Sequence, residues 1–502
     1  MHKRNCKRDS DPFAIEHLTG DVRRRTARGG FVTLGGQAVR FVLTLGSTMV
    51  LARLLTPADF GLVAMVTAVT GFLATFKDLG LSQATVQRQK IEQGEVSTLF
   101  WVNVVASMVL TLLVVGLAPI LARLYHEPSL TAITLALSLG FVISGLGIQH
   151  AALLQRQMRF RRLVVIDLMS LSLGIFAGIV VALAGYGYWA LVAMPLATSA
   201  SATAGYWFSS RWRPGRPVWS SGAKGMLRFG GYLTGFNTVN YLARNLDNVL
   251  IGWRWGAAPL GLYSRAYQLL MLPLQQINAP IGSVMIPTLS RLQGETARYR
   301  KGFLEVLEKL VLVTSPLIGY LIATSDWVVD VFLGPQWHDA ARIFLWLGVG
   351  AFVQTVGNTT GWLFITQQRT KDMFIWGILG SGLSVASFVV GLPFGPIGVA
   401  AAYAISGILI RTPLNIWYVS RRGPVSARDI YRASLPPMLA GLAVLAAVVI
   451  FRLVFPGLQP LPGLVLCGLV ALAVLIPLVR FSHLGTGALA DLRLMLGRPS
   501  QN

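Results

Sequence analysis

The sequence predicts an all-α polytopic membrane protein of about 14 transmembrane helices, arranged as two six-helix lobes plus two C-terminal helices. Three observations carry that expectation. Apolar stretches long enough to cross a bilayer recur about every 30 residues between Phe31 and Phe481. Hydrophobic residues make up 54% of the 502 positions, and the mean hydropathy is +0.61, far from a soluble protein's composition. Basic residues also alternate between successive connections, as the positive-inside rule requires. A hydrocarbon core about 30 Å thick takes roughly 20 residues as a helix, and no water satisfies backbone groups there, so each crossing must be helical.

In chain order, residues 1–30 form a basic tail without the apolar run of a signal peptide. The N-lobe, 31–208, holds expected spans at 31–53, 58–80, 97–121, 130–150, 163–184 and 188–208. Residues 209–226, mostly SSRWRPGRPVWSSGAKG, read as a cytoplasmic linker because Pro, Gly and Arg dominate them. The C-lobe, 227–419, holds spans at 227–252, 258–287, 304–325, 340–366, 373–393 and 397–419. Spans 434–455 and 461–481 form an appendage (434–481), and 482–502 is a second cytoplasmic tail. Connections such as GYGYW, LPFGP and FPGLQPLP are turns, which leaves no room for a soluble catalytic domain.

A net charge of +23 raises the question of nucleic acid, but the charge follows topology. With the N-terminus in the cytoplasm, 32 of the 43 Lys and Arg fall on cytoplasmic segments. Arg53, Arg123, Arg254, Arg342 and Arg452 fall on external segments, and the remaining six lie inside spans. Both termini are therefore expected in the cytoplasm, and no nucleic-acid partner is expected. The two cysteines, Cys6 and Cys467, make no disulfide framework.

The two lobes resemble each other at an offset of 200 residues. Arg28, Gly30, Gly35, Val39, Gly61 and Leu62 match Arg228, Gly230, Gly235, Val239, Gly261 and Leu262. Six spans separate the two starts, so the lobes share an orientation and should be related by an axis along the membrane normal.

Ionisable groups within spans are costly and mark function. Arg40, Arg265 and Arg411 lie inside expected spans without an obvious local counter-ion. With Arg244 they are the candidates for a cationic cavity, because guanidinium forks stay charged and grip phosphate oxygens in pairs. Asp247, three residues from Arg244, is either a structural ion-pair partner or a coupling carboxylate. Asp167 either pairs with the basic run RQMRFRR or serves in coupling. Pro273, Pro280 and Pro287 share nearly one helix face and are candidate gating kinks, with a packing kink as the alternative. Lys77, Glu305, Glu308 and Lys309 sit close enough to interfaces to snorkel. No Gly-Lys dipeptide, and hence no Walker A loop, occurs. The six histidines lack metal-ligand spacing, so no metal or cofactor is expected.

Residues 246–293, LDNVLIGWRWGAAPLGLYSRAYQLLMLPLQQINAPIGSVMIPTLSRLQ, carry a recognisable pattern. Asp247, Ile251 and Gly252 precede Leu260, Gly261, Leu262, Tyr263 and Ser264, then Ala266, Tyr267, Pro273, Pro287, Ser290 and Arg291. This resembles the Wzx-type polysaccharide flippases of the multidrug/oligosaccharidyl-lipid/polysaccharide exporter (MOP) superfamily. LARLLTPADFGLVAMV and LGPQWHDA also look like that family. The resemblance implies a non-enzymatic carrier in the bacterial inner membrane, serving lipopolysaccharide or exopolysaccharide biosynthesis. Its implied substrate is an undecaprenyl-diphosphate-linked oligosaccharide, moved by alternating access through a cationic cavity. Arg40 and Arg265 are similar in placement to arginines proposed to hold the diphosphate in related flippases. Coupling to H+, Na+ or the membrane potential, contact with membrane lipids, and partnership with polysaccharide polymerase machinery are further expectations. Two other classes compete: a drug antiporter of the same superfamily, and a membrane enzyme of polysaccharide assembly. The basic bias of the span charges disfavours the first, and the short loops disfavour the second.

Overall fold

The computed structural model describes residues 22–78, 80–88, 91–218, 241 and 245–481. They fold into helices joined by short turns, with no strand among them. In order these are α1 (Val22–Leu54), α2 (Pro57–Ala74), α3 (Leu81–Gln87), α4 (Gln93–Tyr125), α5 (Ser129–Arg156), α6 (Phe160–Leu183), α7 (Trp189–Ser210) and α8 (245–255). There follow α9 (Ala257–Arg291), α10 (Thr296–Ala323), α11 (Ser325–Phe332), α12 (Ala340–Thr366), α13 (Thr370–Gly391), α14 (Gly395–Ser406), α15 (Thr412–Ser420), α16 (Ala427–Val454) and α17 (Pro460–Phe481). A π-helical turn, Gly407–Arg411, joins α14 to α15.

Ten of the described helical stretches are long and apolar enough to cross a membrane. One of them, Thr370–Ser420, contains two of the expected spans. Helices α1 and α7 cover the spans expected at 31–53 and 188–208 without being among the ten. Most of the span expected at 227–252 lies outside the described residues. The all-α polytopic fold is thus present.

The chain divides into two compact units, Met1–Gly261 and Leu262–Asn502. In the first, α4 packs on α5, α5 on α7, α7 on α6, and α6 on α1. Glycines allow several of these approaches. A Cβ on Gly36 of α1 would stand 2.4 Å from Val164, and one on Gly205 of α7 would stand 2.7 Å from Ile166. A tighter contact joins α2 to the first turn of α9, which belongs to the same unit. There Gly61 faces the Ala257 carbonyl and Gly261 faces the Pro57 carbonyl, each so closely that a Cβ would come within 1.8 Å. The two contacts are reciprocal at an offset of 200 residues, the offset seen in the sequence.

In the second unit, α12 is flanked by α10 and α14, while α16 lies on α10 and α17 on α16. Helices α10 and α12 are the most enclosed of the membrane-length helices. Tyr299, Phe303, Leu307 and Val311 along α10 meet Val356, Leu363 and Phe364 of α12 in one apolar cluster, the i, i+4 spacing bringing successive side chains to one face. Some helix starts are fixed by polar caps. Thr56 and Asp59 form a capping box on α2, and Ser426 and Asp429 form one on α16. Asp429 is also gripped by Arg300 of α10, which clasps the two helices at one end.

One turn recurs in both units. Helix α5 ends in Gln157-Met158-Arg159, with Met158 left-handed at φ 54°. Helix α12 ends in Gln367-Gln368-Arg369, with Gln368 left-handed at φ 56°. The Arg159 and Arg369 N–H groups donate to the carbonyls of Leu154 and Phe364 at 3.0 and 2.8 Å. Each turn satisfies carbonyls that the helix end would leave orphaned, and each then starts a helix, α6 or α13.

Candidate functional site

Arg40 sits on α1 one turn beyond Gly36, so the two share a helix face. On α6, Val164 and Asp167 share a face in the same way. Because Gly36 lies on Val164, Arg40 is carried past Asp167. From α7, the close approach of Gly205 to Ile166 brings the next residue, Tyr206, to the same place. The Tyr206 hydroxyl donates to Asp167 Oδ1, and the Arg40 charge is within electrostatic reach of that hydroxyl. Arg40 itself is exposed, whereas Asp167 and Tyr206 are half-buried. Among the described residues no carboxylate pairs directly with Arg40. Asp167 therefore finds a phenol rather than the basic run RQMRFRR. Nothing in the sequence marked Tyr206 beyond a polar tip near the end of an apolar span.

The remaining candidates are not gathered into this group. Arg265 is half-buried on α9 beside the buried Tyr263 and Ala266, and it takes part in further interactions, so it is not a free guanidinium. Arg411 closes the π turn. It donates to Ser384 Oγ at 3.0 Å and to the Tyr403 carbonyl at 2.7 Å, and it lies 3.7 Å over the Tyr403 ring. These partners are neutral, so the Arg411 charge is solvated by protein dipoles without being cancelled. Asp247 is buried and accepts the Asn248 N–H at 2.8 Å. Arg244, its expected partner, lies outside the described residues. Pro273, Pro280 and Pro287 all lie within α9, which continues as one helix through 35 residues. Gln275 and Gln276 between them are exposed, and Asn278 turns back to donate to the Leu274 carbonyl at 2.9 Å. No cluster of three metal-ligating side chains occurs among the described residues.

Arginines set singly into an apolar helical frame suit recognition of an anion carried on a membrane-soluble molecule. The family model for polysaccharide biosynthesis proteins matches residues 50–342, more than half of the chain. The chain belongs to the polysaccharide biosynthesis protein family.

Individual relatives of this family agree with the resemblance read from residues 246–293. The lipopolysaccharide biosynthesis protein WzxC of Escherichia coli (strain K12) is 27% identical over 396 residues, covering 77% of this chain and 80% of its own. The teichuronic acid biosynthesis protein TuaB of Bacillus subtilis (strain 168) is 30% identical over 327 residues, covering 64% and 67%. The succinoglycan biosynthesis transport protein ExoT of Rhizobium meliloti (strain 1021) is 26% identical over 406 residues, covering 80% of each. Among solved structures, the lipid II flippase MurJ in an inward closed conformation superposes with a TM-score of 0.70 at 14% identity, covering 90% of this chain and 98% of that one. An inward-facing multidrug resistance MATE family transporter of the MOP superfamily gives 0.58 at 13% identity, covering 81% and 94%. These two likenesses are of fold alone. The family match includes Arg265 and leaves out Arg40.

Proposed function

We propose that this chain is a flippase for lipid-linked oligosaccharide, moving an undecaprenyl-diphosphate-linked repeat unit across the bacterial inner membrane by alternating access. The observation that carries the reading is the family itself. Its members above are named for lipopolysaccharide, teichuronic acid and succinoglycan, three different polymers, and one is named as a transport protein. What such assemblies share is a polar saccharide on a polyprenyl diphosphate that must cross a hydrocarbon slab. A helical frame with short loops has no place for a separate catalytic domain but can enclose a polar passage, so the chain acts as a carrier and not as an enzyme. In this reading Arg40 and Arg265, with Arg411 and Arg244 as further candidates, compensate the diphosphate, while the prenyl tail stays in lipid. Both termini face the cytoplasm. Coupling runs on H+, Na+ or the membrane potential, with Asp247 or Asp167 as the responding carboxylate. The polymerase machinery receives the delivered unit.

The test is genetic and biochemical together. Deletion should strand lipid-linked repeat units in the inner leaflet and stop polymer export, and the wild-type gene should restore both. Unchanged export in the deletion strain, together with drug efflux dependent on this chain, would replace the flippase by the antiporter reading.

A further inference from the structure

Three helices of the first unit meet at Arg40, Asp167 and Tyr206, and of those side chains Asp167 and Tyr206 are hydrogen-bonded. Asp167 is half-buried in a span, where an unpaired carboxylate is costly. Its natural partner is the guanidinium carried past it on α1. The structure instead gives its Oδ1 to the Tyr206 hydroxyl and leaves Arg40 without an ion pair among the described residues. Tyr206 is well held for this. Its ring edge lies 3.4 Å from where a Cβ on Gly147 of α5 would stand, and Gly205 beside it is pressed against Ile166 of α6.

We propose that Tyr206 is a positioning residue: its hydroxyl occupies Asp167 and keeps it off Arg40, so that the guanidinium fork stays open for a diphosphate while the carboxylate compensates its charge from a short distance. The nature of the anion rests on the flippase reading above. The physical point is competition. A carboxylate paired directly with Arg40 would fill the same two N–H directions that a phosphate needs. A carboxylate held off by a phenol leaves those directions open and still lowers the electrostatic cost of an empty arginine within the span. The other charged groups on these elements are Arg23, Arg24, Arg25, Arg28 and Arg53 of α1, each three turns or more along the helix from Arg40, and Arg159, Arg161 and Arg162 around the start of α6, a turn or more before Asp167. His150 of α5 is engaged with Ser210 of α7 at 2.7 Å, one helical turn from Tyr206.

This arrangement makes the two neighbours of Arg40 act with opposite sign. Tyr206→Phe releases Asp167 to pair with Arg40 and should weaken diphosphate binding. Asp167→Asn removes the competing charge and should strengthen it. A tie that merely holds α6 to α7 would make both variants change in the same direction.

The test measures binding of geranylgeranyl diphosphate and of inorganic diphosphate to the purified full-length protein in nanodiscs. Arg40→Ala should weaken binding of both probes by about tenfold or more, the scale of a lost charge-assisted contact. Tyr206→Phe should weaken and Asp167→Asn should tighten binding of both by several-fold. Adding Tyr206→Phe to Asp167→Asn should change nothing further, because no carboxylate remains to be released. Wild-type affinity in Tyr206→Phe, or a shift of the same sign in both single variants, overturns the positioning role. A response confined to the prenyl probe also overturns it, since the competition is at the headgroup. If Tyr206→Phe melts at lower temperature, the Asp167→Asn arm alone decides: no tightening means no competition. Normal binding of both probes by Arg40→Ala is a different failure, because it removes the diphosphate site and not only its positioning.

Discussion

At the scale of single residues, the arginines within the helices differ in what holds them. Arg411 has three neutral partners, Arg265 is engaged, and Arg40 is exposed beside a carboxylate that a phenol has taken. Arg40→Ala and Arg265→Ala should each abolish polymer export in a complementation assay while the protein accumulates normally. Lysine at either position should rescue only in part, since it keeps the charge and loses the planar fork. Normal export by both alanine variants would defeat the cationic-site mechanism and leave the family assignment intact. Gly61 and Gly261 belong to packing instead. Gly61→Ala or Gly261→Ala drives a methyl into a carbonyl of the crossing helix. Overpacking of that kind costs about 1–3 kcal/mol, which should appear as a lower melting temperature of the purified protein. Of these residues the arginines were legible in the sequence, because a charge in an apolar run stands out. Tyr206, Ser384 and Tyr403 were not. Their roles depend on which helices lie side by side, and a hydroxyl in a span carries no mark of what it will bond.

At the scale of elements, α9 carries three prolines at seven-residue spacing, and its helix continues through all of them from Ala257 to Arg291. Proline is tolerated in a membrane helix when neighbouring helices and polar side chains meet the freed carbonyls. The short α11 and the turn after it had no clear place in the sequence, since eight residues give too little periodicity to read. The structure gives α11 a function in packing. Arg452 near the end of α16 bonds Asp326 of α11 through both nitrogens, at 2.9 and 2.6 Å, and lies 4.0 Å over Trp327. Trp327 in turn is pressed against Gly463 of α17. This partly buried, two-pronged pair should couple α11 to α16 and α17. A double-mutant cycle of Asp326→Ala and Arg452→Ala, read by thermal unfolding in detergent, should give a coupling of about 1–3 kcal/mol. Additive effects would mean that the pair adds nothing to the docking of the last two helices.

On the whole-molecule scale, the alternation of basic loops makes a topological prediction with two arms. In a background lacking Cys6 and Cys467, a cysteine at the exposed Tyr186, between α6 and α7, should react with an impermeant reagent in intact cells. One at Gly294, between α9 and α10, should react only after permeabilisation. Labelling of Gly294→Cys from outside would invert the topology. The all-α polytopic class was legible in the sequence because membrane crossings need only length and apolarity. Helix ends were less so: α4 and α5 run several residues past the spans expected at 97–121 and 130–150, since polar turns of a helix fall outside an apolar window. The duplication signal was legible only in outline, through six matched residues at one offset. The turn after α5 and α12 carries it further. Met158 and Gln368 are both held left-handed, 210 residues apart, where glycine would sit freely and another residue costs about 1 kcal/mol. Local chemistry asks for no methionine or glutamine there. The same mildly unfavourable corner thus recurs in both units on different side chains, as the internal resemblance read from the sequence leads one to expect.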